Sequence, residues 1–261
     1  MEKLHILLTL FNNTPIRYWP RHATYFAGLA LNRLCGVRPF DHKILQLRQM
    51  RLRAEIEGSS GLVFFYEICV KRVYDLFPRP ADQAARILFD VGANCGFLAL
   101  SRCLQNSVLE AYCFEPHPKT FEILRANIEL NQLTKRIFPV STAVGATTGT
   151  CRLNIGEDSS MGVVATSTYG GDANATSIEV PLTSLDDFCC AHNIWPDVVK
   201  IDVEGFEAEV LSGARKCLKR AKRVLLEYHN DTLKRQCQDL LNQAGYRVQV
   251  MNQLIFADAE A

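Results

Sequence analysis

Downstream of Ala85 the chain alternates between two hydrophobic patterns. Short, nearly continuous apolar runs occur at RILFDV (86–91), VLEAYCFE (108–115), IFPVSTAV (137–144), DVVKIDVEG (197–205) and RVLLEYH (223–229). They have strand length, and runs that are apolar on both parities suit strands covered on both faces. Between them lie FLALSRCLQ (97–105), TFEILRANIELN (120–131), TSLDDFCCAHN (183–193), AEVLSGARKCLKRA (208–221) and TLKRQCQDLLNQAG (232–245), which read as helices. In the second, Phe121, Leu124, Ile128 and Leu130 form one apolar stripe. The third begins with a capping residue and the last ends at a glycine. YRVQVM (246–251) and LIFADA (254–259) close the chain as strands. This alternation predicts an α/β fold with a mostly parallel sheet and helices on both faces.

Two regions depart from that pattern. Residues 1–57 read as helical with a break at Arg38–Asp41, and ILQLRQMRLRAEIE (44–57) is rich in helix formers. PRPAD (78–82) marks a boundary. The predicted organisation is a helical extension, residues 1–80, followed by one α/β domain, residues 81–261. Within that domain the Gly/Ser/Thr/Ala-rich segment 146–180 is an insertion. GTCRLNIG (149–156) and SIEVPL (177–182) read as its strands, forming either a hairpin near the site or a surface excursion.

Composition changes this picture little. The formal net charge is +1, so no global field favours nucleic acid or an acidic partner. Residues 1–60 hold nine Lys and Arg against four Asp and Glu, which suits a solvated helical face. The same extension is placed to cover a pocket or to mediate a homodimer. The ten cysteines include no CxxC pair and fit neither a zinc site nor a disulfide framework. Read as reduced thiols, they place the chain in the cytoplasm. The apolar runs HILLTLF and ATYFAGLALNRLC are too short or too interrupted to span a bilayer.

The first strand–turn–helix, FDVGANCGFLAL, carries the candidate chemistry. In an open α/β sheet, ligands lie off the carboxyl ends of the strands where strand order reverses. Gly92 and Gly96 leave the backbone uncovered there. GxGxxG spacing is absent, and Asp90 beside a pyrophosphate would be a like-charge clash. A cationic guest is favoured instead, and S-adenosylmethionine, with its ammonium and sulfonium, meets that requirement. Glu115, at the end of the next strand, has the two acceptor oxygens that ribose hydroxyls need. Taken alone, Asp90 reads equally as a helix cap and Glu115 as a solvated strand end.

FDVGANCGFLAL, FEPHPKTFEILRANIELN, TSLDDF, VVKIDVEGFEAEVLSGA and VLLEYH, in that order, resemble the FkbM-type methyltransferases over about residues 61–258. The resemblance implies a Rossmann-like, S-adenosylmethionine-dependent class I methyltransferase sheet of seven strands, the last antiparallel. It implies O-methylation of a hydroxyl on a sugar, glycolipid or natural product. It places Asp90, Gly92, Asn94 and Gly96 around the methionine end of the cofactor and Glu115 at the ribose. It sets Ala143 and Val144 beside adenine, where strand-end packing is the competing reading.

Acceptor chemistry is expected at the next two strand ends. Asp202 and Glu204 share a parity, as do Glu227 and His229, provided the strands extend that far. Asp202 reads as a site residue; Glu204 divides between substrate contact and a helix cap. His229 is the expected base for an alcohol proton, oriented by Glu204 or Glu227. The other five histidines read as structural or exposed. A divalent cation among Asp202, Glu204, Glu227 and His229 is chemically admissible, but no spacing demands it, and no metal is expected. Two other functions compete: a catalytically silent binding relative and a nicotinamide-dependent oxidoreductase.

Overall fold

The computed structural model describes residues 43–47, 50–54, 84–155, 162–164 and 176–260. A hairpin comes first, β1 (Lys43–Leu47) and β2 (Met50–Ala54), paired antiparallel with Leu45 opposite Leu52. This corrects the helical reading over 44–47 and 50–54. Over MRLRA the apolar residues recur at every second position, a strand period, and that alternation prevails over helix propensity here. The rest of the expected helical extension lies outside the described residues.

The main unit follows as β3 (Ile87–Val91), α1 (Phe97–Gln105), β4 (Glu110–Phe114), α2 (Pro118–Leu130) and β5 (Ile137–Val140). A short β6 (Ala143–Val144) leads into the inserted strands β7 (Gly149–Ile155), β8 (Gly162–Val164) and β9 (Thr176–Thr183). Then come α3 (Leu185–His192), β10 (Val198–Ile201), α4 (Glu207–Ser212), α5 (Arg215–Leu218), β11 (Arg223–Glu227), α6 (Asp231–Gln243), β12 (Tyr246–Met251) and β13 (Leu254–Ala259). The seven-stranded sheet has the order β12-β13-β11-β10-β3-β4-β5. Neighbours from β11 to β5 are parallel, and β13 is antiparallel to both β11 and β12. Strand order reverses between β3 and β10, so the crevice expected for a ligand lies at their carboxyl ends.

Alternation along each strand divides the core. Leu88, Val198 and Leu225 pack under α1 and α2 with Leu98, Leu124 and Ile128. Phe89, Val91, Val199 and Ile201 face α3 to α6. On that side the Phe89 ring meets Phe114 edge-on at 5.4 Å and Phe188 at 5.6 Å. Each such pair contributes about 0.5–1.5 kcal/mol beyond its area. The segment read as one helix over 208–221 is two short ones, because the Asp186 carboxylate accepts the amides of Lys216 and Cys217 and so opens a second helix start.

The inserted strands form a second sheet of order β6-β9-β7-β8. β7 and β9 pair antiparallel over their lengths, as the hairpin reading expects. Its small core joins Ala143, Leu153 and Val180 to Phe206. Among the described residues no helix is long and apolar enough to cross a membrane.

Candidate active site

β3 ends at Val91, and the chain turns over Gly92, with φ +71°. The amides of Gly92 and Ala93 both donate to the Phe114 carbonyl, pinning the turn across β4. A Cβ on Gly92 would lie 1.7 Å from the Asp202 carbonyl oxygen, and one on Gly96 would lie 2.5 Å from Leu124 Cδ1. At both positions a side chain would crowd the protein itself, and the left-handed backbone also favours glycine. Asn94 sits in the left-handed region at φ 50°, and its Oδ1 accepts the Cys95 amide.

Glu115 follows β4 and is buried. Its two oxygens accept the amides of Asn94 at 2.9 Å and His117 at 2.8 Å. Burial pushes its pKa up to about 7 despite those bonds. Glu115 thus fastens the β3 turn to the β4 tip. His117 is the structural residue expected, capping α2 through Nδ1, which accepts the Thr120 amide. Asn127 was not anticipated: fully buried on α2, it donates to the Cys95 carbonyl at 2.9 Å. A polar residue inside an apolar helix stripe was the available signal.

Asp90 is fully buried and does not line the crevice with a free carboxylate. Its partner is Lys200, directly opposite in the β3–β10 register, with Nζ 3.4 Å from Oδ1. The same ammonium lies 3.4 Å from Asp202 and donates to the Gly92 carbonyl at 2.7 Å. Burial pulls the lysine pKa down, but Asp202, Asp90 and Glu227 outweigh it and hold Lys200 above its ordinary value. Burial pushes Asp90 up. The sequence reading passed over Lys200 as part of an apolar strand.

β10 stops at Ile201, so the shared parity of Asp202 and Glu204 is not what brings them together. Glu204 turns through a left-handed conformation, φ 53°, and Gly205 follows at φ 101°. That turn carries the Glu204 carboxylate back toward Asp202 and toward His229, which lies two residues past β11. One ligand atom from each of Asp202, Glu204 and His229 lies within 4.8 Å of the others. Neither acid caps α4, whose N-cap is Phe206 without a side-chain bond.

The imidazole is held from both sides. Its Nε2 is 3.0 Å from Glu204 Oε2, and its Nδ1 is 2.8 Å from Glu207 Oε1. Glu207, not Glu227, is the second partner; it is fully buried and also accepts the Gly205 amide at 2.8 Å. Burial works against the charged ring, yet the bonds to Glu204 and Glu207 win and push its pKa up to about 11. Ala143 and Val144 form β6 and are buried in two apolar clusters.

Asp202, Glu204 and His229 are the one group among the described residues with metal-ligand spacing. Their donors are already engaged: Asp202 with Lys200, and both ring nitrogens with carboxylates. A cation would compete with Lys200 for Asp202 and would part His229 Nε2 from Glu204, itself one of the three.

A parallel sheet reversing between β3 and β10, with β13 antiparallel and acids at neighbouring strand ends, is a Rossmann-like arrangement. The model of the methyltransferase FkbM domain matches residues 90–248, and the chain belongs to the FkbM methyltransferase family. It is 28% identical over 172 residues to the hexuronic acid methyltransferase AglP of Haloferax volcanii, covering 63% of this chain and 64% of that one. The match thus spans less than two thirds of that relative's length. It is 26% identical over 241 residues to the 31-O-demethyl-FK506 methyltransferase FkbM of Streptomyces tacrolimicus, covering 79% and 90%. The crystal structure of methyltransferase FkbM from Methylobacillus flagellatus KT shares the fold, with a TM-score of 0.50 at 15% identity over 75% of this chain and 53% of that one.

Proposed function

We propose that this methyltransferase uses S-adenosylmethionine to methylate a hydroxyl oxygen on a sugar, glycolipid or natural product. The observation that carries the reading is the convergence of Asp202, Glu204 and His229 within 4.8 Å, backed by the buried Glu207 and adjoining the 92–96 turn. The names of the relatives support the acceptor class, one being a hexuronic acid methyltransferase and the other a 31-O-demethyl-FK506 methyltransferase.

The residues fit the cofactor's charge. Among the described residues the acids Asp90, Asp202, Glu204 and Glu207 gather beside the turn, with Lys200 and His229 between them. A cluster of carboxylates there favours a cationic guest. Gly92, Asn94 and Gly96 would shape the crevice for the methionine end, and Glu115 would accept the ribose hydroxyls. Asp90 would act from below, through Lys200. When bound, the cofactor supplies the methyl group as an electrophile.

What the chain must add is alignment, exclusion of water and removal of the acceptor's proton. An acceptor hydroxyl that takes the place of Glu204 at Nε2 leaves the imidazole with one carboxylate partner instead of two. Its pKa then falls toward the range in which the neutral ring accepts the hydroxyl proton. Glu207 holds Nδ1 and fixes which nitrogen faces the acceptor. Asp202 and Glu204 would position the hydroxyl. We place the chain in the cytoplasm, a compartment that keeps buried thiols such as Cys103, Cys113 and Cys237 reduced. The proposed homodimer contact through residues 1–80 lies largely outside the described residues.

Calorimetric titration with S-adenosylhomocysteine and with the nicotinamide dinucleotides tests the cofactor. Binding of a dinucleotide and not of S-adenosylhomocysteine would sink the reading. Mass spectrometry of sugars, glycolipids and polyketide alcohols incubated with labelled cofactor then identifies the acceptor. Binding without transfer to any of them would favour a silent relative.

A further inference from the structure

Among the described residues Lys200 is the only buried lysine, 2% exposed in the central strand of the sheet. Burying an ammonium costs several kcal/mol unless partners offset it. Register accounts for the first partner: Lys200 and Asp90 are directly opposed on the face that also carries Leu88 and Val198. A counter-ion for Asp90 would need nothing more. The lysine does more, because its Nζ passes beyond Asp90 to the Gly92 carbonyl at 2.7 Å and to Asp202 at 3.4 Å. Those are the first residue of the β3 turn and the first residue past β10. The backbone joins the same two points, with the Asp202 amide donating to the Val91 carbonyl at 3.1 Å and Gly92 lying against the Asp202 carbonyl.

We infer that Lys200 is a positioning residue that fixes the 92–96 turn and the Asp202 carboxylate in one geometry. It acts on the methionine end of the cofactor through Gly92 and on the acceptor cluster through Asp202. The inference rests on the cofactor reading above. Gly92 and Asp202 each have a second tie to the fold, the Gly92 amide on the Phe114 carbonyl and the Asp202 amide on the Val91 carbonyl, so the lysine's own effect is on where the turn and the carboxylate sit.

The test compares the full chain with Lys200→Met and with the charge-balanced pair Asp90→Asn/Lys200→Met. Three quantities are read: melting temperature, affinity for S-adenosylhomocysteine, and hydrogen exchange of the Ala93–Cys95 amides. Lys200→Met leaves Asp90 buried without its counter-ion and should melt far lower, or fail to fold. The double variant removes both charges and should melt near the wild type. It should still bind S-adenosylhomocysteine about tenfold or more weakly, the loss expected of a charge-assisted hydrogen bond. Its turn amides should exchange faster. Wild-type affinity and exchange in the double variant would reduce Lys200 to a counter-ion for Asp90 and overturn the inference. If the wild-type chain itself does not bind S-adenosylhomocysteine, the cofactor reading fails separately. Amide exchange then decides whether Lys200 holds the turn.

Discussion

The Nδ1 of His229 lies 2.8 Å from Oε1 of Glu207, a carboxylate with no exposure to solvent. The pair ties the chain just past β11 to the first turn of α4, and each group needs the other to be buried. Glu207→Gln keeps the shape and removes the charge. The imidazole pKa should fall from about 11 toward the ordinary value of 6.5, as read by NMR of the ring. A raised folded-state pKa gives stability that is complete below 6.5 and disappears as pH rises through 11. The fall in melting temperature over that window should therefore be smaller in Glu207→Gln than in the wild type. An unchanged ring pKa would show that Glu207 does not govern it.

His229→Gln should lower turnover by roughly a hundredfold or more, the usual worth of a positioned base. Affinity for S-adenosylhomocysteine should change little, since the role proposed for the ring is toward the acceptor. Turnover equal to the wild type at every pH would remove the assignment.

Glu115 sits near its own midpoint at pH 7. Only the ionised form offers acceptors to both ribose hydroxyls. Affinity for S-adenosylhomocysteine should weaken below pH 7, approaching about tenfold per pH unit well below the midpoint. Glu115→Gln should bind weakly and show a flat profile. A wild-type profile that is already flat between pH 5 and pH 8 would contradict this role for Glu115; that span brackets roughly the raised midpoint.

Gly92→Ala should destabilise the fold by more than about 2 kcal/mol, through the left-handed backbone and a clash with main chain. The Asp202 carbonyl, 1.7 Å from the new methyl position, cannot rotate away as a side chain would. Urea unfolding measures this, and a loss of only a few tenths would mean the β3 and β10 tips separate easily.

Turnover should persist in EDTA. Lys200 already lies against Asp202, and carboxylates hold both nitrogens of His229. Loss of turnover in chelator, with recovery on adding magnesium or manganese, would reverse this.

Strand and helix positions after Ala85 were legible because apolar runs and helical stripes alternate with few ambiguities. The meeting of Asp202, Glu204 and His229 was legible only as strand-end chemistry. The route differs from the one expected, because β10 stops at Ile201 and the left-handed Glu204 turns its carboxylate back. Lys200 was hidden by its surroundings, since one charge within VVKI looks like noise in an apolar run. Its in-register opposition to Asp90 appears only once the strands are paired. Glu207 was hidden by its position in a helix start, where acids are commonplace. The β1–β2 hairpin was misread because Leu, Met, Arg and Ala favour helices, while the two-residue period of MRLRA is short and easily overlooked.

Phe206 separates Gly205 from α4 and buries its ring among Ala143, Leu153 and Val180 of the inserted sheet. The peptide bearing Glu204 is thereby moored to a module outside the seven strands. Lengthening or trimming that module should therefore shift the Glu204 carboxylate while the seven-stranded sheet keeps its shape.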